Sequence, residues 1–91
     1  MSRMAKHIVF KGRVQGVGFR YTAHRSACRF QLTGFVRNLG DGSVEMFVQG
    51  NSEDIDECLA DIQDSFEGYI KDTQINEVPE DPRYKSFAIT Y

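Results

Sequence analysis

The chain has 91 residues, of which 41% are apolar and 26% charged; it reads as one domain over 1–91, of ordinary globular composition, able to bury a core without staples. No apolar run reaches transmembrane length and Met1–His7 is charged without an apolar stretch, which argues against a membrane span and a signal peptide and for the cytoplasm. The net charge of −2 hides a division: residues 1–40 carry Arg3, Lys6, Lys11, Arg13, Arg20, Arg25, Arg29 and Arg37 and no acid, while every Asp and Glu lies beyond them. Either the first half faces an anion, or the two halves interleave and cancel in the fold.

Residues 1–6 read as a loose extension. Residues 7–13 alternate, with Ile8 and Phe10 on one face and His7, Val9 and Lys11 on the other, and predict a strand. Next comes the stretch Gly12-Arg13-Val14-Gln15-Gly16-Val17-Gly18-Phe19-Arg20. A glycine-rich turn from a strand into a helix presents clustered backbone N–H groups to an anion, and glycine lets the backbone come close to it. Arg20, at the helix start, is placed to clamp the same anion with its planar fork.

From Phe19 to about Gln31 the spacing of Phe19, Ala23, Ala27 and Phe30 predicts a helix, with Arg25 and Arg29 on a solvated stripe. Leu32–Asn38 predicts a second strand. Leu39-Gly40-Asp41-Gly42 is a turn, and Ser43–Gln49 is a third strand, stopped by Gly50, that pairs with the second as a hairpin. Asn51 or Ser52 caps a second helix whose first turn holds Glu53 and Asp54. Its stripe of Ile55, Cys58, Leu59, Ile62 and Phe66 runs toward Gly68, while Asp56, Glu57, Asp61 and Asp64 form the solvated face.

Tyr69–Val78 suggests a strand, Pro79 and Pro82 frame an acidic loop, and Ser86–Tyr91 alternates as a last strand. Cys28 and Cys58 have no metal-ligand spacing to each other or to His7 and His24, and read as two free, partly buried thiols in a reducing compartment, with no metal. The order strand, helix, strand, strand, helix, strand plus a C-terminal strand is α+β. It describes a split βαβ sandwich, an antiparallel sheet with two helices on one face and the other face open to water.

The glycine stretch fits neither common nucleotide loop. A P-loop requires Gly-Lys-Ser/Thr five residues after its first glycine, where Val17 stands here, and a dinucleotide fingerprint requires glycine at position 21, which is Tyr. What remains is a cradle for a compact phosphoryl group. Residues 12–20 resemble the first signature of the acylphosphatase family, and Gly34-Phe35-Val36-Arg37-Asn38 with Gly42, Val44 and Gly50 resemble the second. Every fixed position in both ranges fits. The one departure is Phe10, where the family prefers Leu, Ile or Val.

The resemblance implies the ferredoxin-like fold from about residue 7 to 91. It also implies hydrolysis of a small-molecule acyl phosphate to a carboxylate and inorganic phosphate, with no cofactor, metal or covalent intermediate. It assigns phosphate binding to Arg20 and to the backbone of Gln15, Gly16, Val17, Gly18 and Phe19, and water positioning to Asn38. Inorganic phosphate is then both product and competitive inhibitor, and the default state is a monomer without nucleic-acid or membrane partner.

Two other readings stand beside it. One is a non-catalytic phosphate-binding or carbamoyl-phosphate-handling domain, normally fused to more chain. The other is an RNA-binding module of the same fold, which would stack bases on open-face aromatics. Whether Arg13 or Arg37 touches substrate, and what His24 and Tyr91 do, the sequence leaves open.

Overall fold

A computed structural model describes residues 2–91. Its elements are β1 (Arg3–Gly12), α1 (Phe19–Arg29), β2 (Thr33–Asn38), β3 (Val44–Asn51), α2 (Ser52–Ser65), β4 (Ile70–Val78) and β5 (Phe87–Ile89). They form one sheet in the order β4-β1-β3-β2-β5. β1 runs antiparallel to β3 and to β4, and β2 antiparallel to β3.

β5 is parallel to β2, so the sheet is mixed and not antiparallel throughout. The cause is topological. β4 ends at the end of the sheet where β2 begins, and a chain that crosses there enters the far edge running the same way as β2. β1 also begins earlier than expected: Arg3 pairs with Asn51 and Lys6 with both Val48 and Glu77, so residues 3–6 are strand and not a loose extension, while Met1 lies outside the described residues. β3 continues through Gly50 to Asn51 because β1 supplies partners for both.

The two helices differ at their starts. In α2 the Asn51 side chain accepts from the Glu53 N–H at 3.0 Å, and Glu53 and Asp54 load the first turn. α1 has Gly18 at its N-cap, no side-chain cap and no acid in its first turn. Both helices lie on one face, where Phe19, Ala23, Ala27, Ile55, Cys58, Leu59 and Ile62 join Ile8, Phe10, Val36, Val44, Met46 and Val48 in one buried cluster. The rings of Phe10, Phe19 and Phe66 stack in series at 4.9 and 4.6 Å, tying the end of β1 to the start of α1. Full burial of one such side chain contributes about 1.5–3 kcal/mol.

The opposite face is open only in part: Arg37 and Lys11 on it are exposed, but its middle is covered. Phe47 and Gln49 on β3 are only 8% and 4% exposed, because the segment between β4 and β5 crosses over them. Tyr84 packs on Phe35 and Phe47 at ring separations of 5.7 and 5.3 Å. Gln49 donates from Nε2 to Asp81 O at 2.8 Å and accepts at Oε1 from Asp81 N at 2.7 Å, as a neighbouring strand would. The stretch framed by Pro79 and Pro82 is thus a strap across the sheet.

The divided charges interleave. Arg3 pairs with Glu80, Lys6 with Asp56 and Arg37 with Glu45, each joining the basic first half to the acidic second.

The cysteines separate by helix face. Cys58 is buried in the core, and burial pushes its thiol up to about 11. Cys28 follows the buried Ala27 and is exposed, with His24 Nε2 at 3.7 Å from its Sγ, not partly buried as expected. A disulfide reagent such as DTNB, applied to the native protein near neutral pH, should titrate Cys28 and reach Cys58 only after denaturation. Prompt reaction of both would contradict the core position of Cys58.

Candidate active site

The site forms where β1 hands over to α1. Val14 is buried at the cavity's inner wall, and Gly16 and Gly18 take φ of +76° and +80°. A Cβ at either would meet nothing within 4 Å, so what these positions require of glycine is the left-handed backbone. The first helical bond is Thr22 N–H to Gly18 O at 3.1 Å, and among the described residues no N–H from Val14 to Tyr21 donates to another backbone group. These are the free donors of an uncapped helix start together with those of the turn before it, and the helix dipole adds to their positive potential.

Arg20 sits in that first turn. It makes no ion pair or hydrogen bond to a described residue; its guanidinium lies 4.9 Å from the centre of the Tyr91 ring.

Asn38 arrives from the other sheet connection. In the strand register Val44 is paired with Phe10 on one side and Asn38 on the other, which brings the end of β2 alongside the end of β1. The Asn38 Oδ1 is buried and has no hydrogen-bond partner among the described residues. A buried acceptor left unpaired by the protein is a place where a water or ligand donor is stabilised.

Gly16, Gly18, Phe19, Arg20 and Asn38 line one cavity of about 290 Å³, together with Val14, Tyr21, Ile89 and Tyr91. Two expected loop members do not line it. Val17 packs against the core. Gln15 turns its side chain to the β2–β3 turn, donating from Nε2 to Leu39 O and Ser43 O at 2.8 Å each.

Tyr21 and Tyr91, 64% and 98% exposed, are wall residues that the motifs did not single out. Tyr21 shares the first turn with Arg20, and Tyr91 shares the alternation of Phe87 and Ile89. Arg13 lies over the Tyr69 ring at 5.2 Å and His24 beside Phe87 at 6.1 Å; neither lines the cavity. No group of three or more His, Cys, Asp or Glu able to hold a metal occurs among the described residues, and no described helix is long and apolar enough to cross a membrane.

A family model described as acylphosphatase matches residues 6–89. The chain belongs to the acylphosphatase family. It is 41% identical over 87 residues to an acylphosphatase of Geobacillus kaustophilus (strain HTA426), covering 93% of this chain and 92% of that one. It is 39% identical over 83 residues to one of Bordetella parapertussis (strain 12822 / ATCC BAA-587 / NCTC 13253), covering 90% and 88%. Among solved structures, the acylphosphatase of Bacillus subtilis superposes with a TM-score of 0.89 at 30% identity, covering 97% of this chain and 99% of that one. Full-length HypF in a phosphate- and nucleotide-bound form superposes at 0.84 with 32% identity; the match covers 99% of this chain but 12% of HypF. The family is one of hydrolases acting on small acyl phosphates, and the α+β ferredoxin-like fold is the one these neighbours share.

Arg37, adjacent to Asn38, belongs to the opposite sheet face. Its guanidinium is clamped to Glu45, whose other oxygen is 2.7 Å from His7 Nε2. Partial burial raises the Glu45 carboxyl, but the hydrogen bonds from His7 and Arg37 outweigh it and hold the group below its ordinary value of 4.5. A depressed folded value means that the stabilisation is fully present above about pH 4.5 and is lost as pH falls through the lower folded value. Glu45→Gln should therefore flatten the acid limb of stability against pH, as followed by urea midpoints across that range. An unchanged limb would remove Glu45 as its source.

Proposed function

We propose that the chain hydrolyses small acyl phosphates with Arg20 and the loop amides holding the phosphoryl group and Asn38 positioning the attacking water. The observation that carries this reading is the meeting, in one cavity, of a helix start with free amides, an arginine without a carboxylate partner and a buried amide oxygen without a donor, each among the described residues.

The chemistry asks for little more. Carboxylate is a good leaving group, so the reaction needs no strong acid. It needs the phosphoryl oxygens neutralised and a water held in line with the bond that breaks. The N–H groups from Gly16 to Arg20 and the Arg20 fork supply fixed positive potential to the oxygens without reorganising. The Asn38 carbonyl accepts one water O–H and aims the lone pair at phosphorus. Water oxygen bonds to phosphorus as the bond to the acyl oxygen breaks, giving carboxylate and inorganic phosphate. Asn is not a base, so the water proton passes to a phosphoryl oxygen. The reading extends to a cytoplasmic monomer with no nucleic-acid or membrane partner, with inorganic phosphate as competitive inhibitor; elution at the mass of one chain checks the monomer.

The likeness to HypF, solved in a phosphate-bound form, supports a second reading, a domain that holds phosphate without hydrolysing simple acyl phosphates. An RNA-binding role finds no support, since Tyr84 occupies the aromatics Phe35 and Phe47 that would stack bases. Turnover of benzoyl phosphate, followed spectroscopically, separates the first two, and its absence would favour the HypF-like reading.

Arg20→Ala should lose about a thousand-fold or more in kcat/KM together with inhibition by inorganic phosphate. Retained inhibition in that variant would sink the assignment of Arg20. Asn38→Ala should lower kcat about a hundred-fold while the inhibition constant for phosphate stays within about twofold of wild type. Near wild-type turnover there would exclude the water-positioning role. Addition of EDTA should leave the rate unchanged.

A further inference from the structure

We propose that the Gln15 side chain is a positioning residue: a two-pronged amide bridge that sets the distance between the phosphate loop and Asn38. The proposal rests on the reading of Asn38 as the residue that holds the attacking water.

Gln15 lies on the loop, in the first of the two motifs. Its Nε2 reaches Leu39 O and Ser43 O, both at 2.8 Å, so each proton of the amide is used, and used on the turn that follows Asn38. Leu39 is the next residue after Asn38. Among the described residues these are the only hydrogen bonds that join residues 14–18 to residues 38–43. The β1–β3 ladder stops at Phe10 with Val44, so beyond it the loop and the turn have no backbone link to fix their separation. Of the loop residues that line the cavity, Gly16 and Gly18 have no side chain to offer and Val14 has only an apolar one.

The turn itself does not depend on Gln15. Leu39 N–H donates to Ser43 O at 2.8 Å and Gly42 N–H to Leu39 O at 3.3 Å, and Asp41 Oδ1 accepts from Ser43 N–H and Oγ–H. Both carbonyls that Gln15 reaches therefore keep a donor if Gln15 is removed, and the hairpin stays closed. The loop is likewise held at both ends, by Arg13 N–H to Tyr69 O at 2.9 Å and by the burial of Phe19. What is lost is the relation between two intact halves. The phosphoryl group is held by one half and the water by the other. A displacement on the order of 1 Å between reacting groups costs about a hundred-fold in rate, while binding by one half alone is untouched.

The test uses Gln15→Met, which keeps the length and the packing but has no N–H, and Gln15→Glu, which keeps the length and polarity and points carboxylate oxygens at two carbonyls. Both are assayed with benzoyl phosphate and with inorganic phosphate as inhibitor. Each should lose about ten- to a hundred-fold in kcat, with KM and the phosphate inhibition constant within about twofold of wild type. In the Asn38→Ala background the same substitutions should lower kcat no further, because the group they position is gone. Wild-type kcat in Gln15→Met, with Asn38→Ala impaired, overturns the role of Gln15 alone. So does a matched weakening of phosphate inhibition, which would make Gln15 a support of the cradle, or a further full loss in the Asn38→Ala background. Full turnover in Asn38→Ala overturns the reading of Asn38 itself and with it the route by which Gln15 acts. If Gln15→Met does not fold, Gln15→Glu alone decides between these outcomes.

Discussion

An unsatisfied helix start is the constraint on which the rest of the structure depends. Within one chain, α2 meets the positive potential of its own N-terminus with Asn51, Glu53 and Asp54, whereas α1 meets it with a glycine and then adds Arg20. A cation at that end of a helix is unfavourable by about 0.3–1 kcal/mol, and Gly18 contributes no side-chain cap. Stability that the helix lacks locally is supplied by packing, through Phe19 between Phe10 and Phe66 and through Ala23 and Ala27 against the sheet. A local conflict that the surrounding core overrides is the mark of a functional site. Under the proposed function the phosphoryl group of the substrate removes the conflict and completes the helix.

That arrangement works only because the register of the sheet brings a second, unrelated element to the same point. Val44 sits between Phe10 and Asn38, so the end of β1 and the end of β2 are next-nearest strands at one level. A shift of β2 by one residue would turn Asn38 away from the helix face and carry Arg37 into its place. The Arg37–Glu45–His7 cluster opposes such a slip, since Glu45 on β3 holds side chains of β2 and β1 together on the face away from the cavity.

The helices, the hairpin and the order of elements were legible because each announces itself in a short window: a stripe from Ile55 to Phe66, an Asp-Gly turn, a glycine-rich exit from a strand. The pairing of Arg20 with Asn38 came from the resemblance of the two motifs to a family and not from spacing, since strand register carries no local signature. Three features escaped for a common reason. The early start of β1 depends on edge partners supplied by residues 50–51 and 77–78. The covering of the sheet's second face depends on Tyr84 finding Phe35 and Phe47. The direction of the Gln15 side chain depends on carbonyls 24 and 28 residues away. Each is decided by distant chain, and the same alternating or glycine-rich stretch would read identically without it.

The strap and the cavity are parts of one device. Ile89 and Tyr91 complete the cavity wall beside Asn38, and these arrive only because the chain crosses the whole sheet after β4. The crossing is held by the Gln49–Asp81 bonds and by the Tyr84 ring. It ends in a strand of three residues whose partner in the sheet is β2 alone, with Gly34 N–H to Ser86 O and Thr90 N–H to Val36 O closing its two ends. The cradle and Asn38 stand instead on strands joined to the sheet's centre and backed by buried core. Local opening begins where burial and hydrogen bonding are least, and by burial the two walls differ: Tyr91 is 98% exposed, whereas Val14 and Phe19 of the loop and helix start are buried. A hydrolase that must hold one phosphoryl geometry while releasing a carboxylate is served by that division.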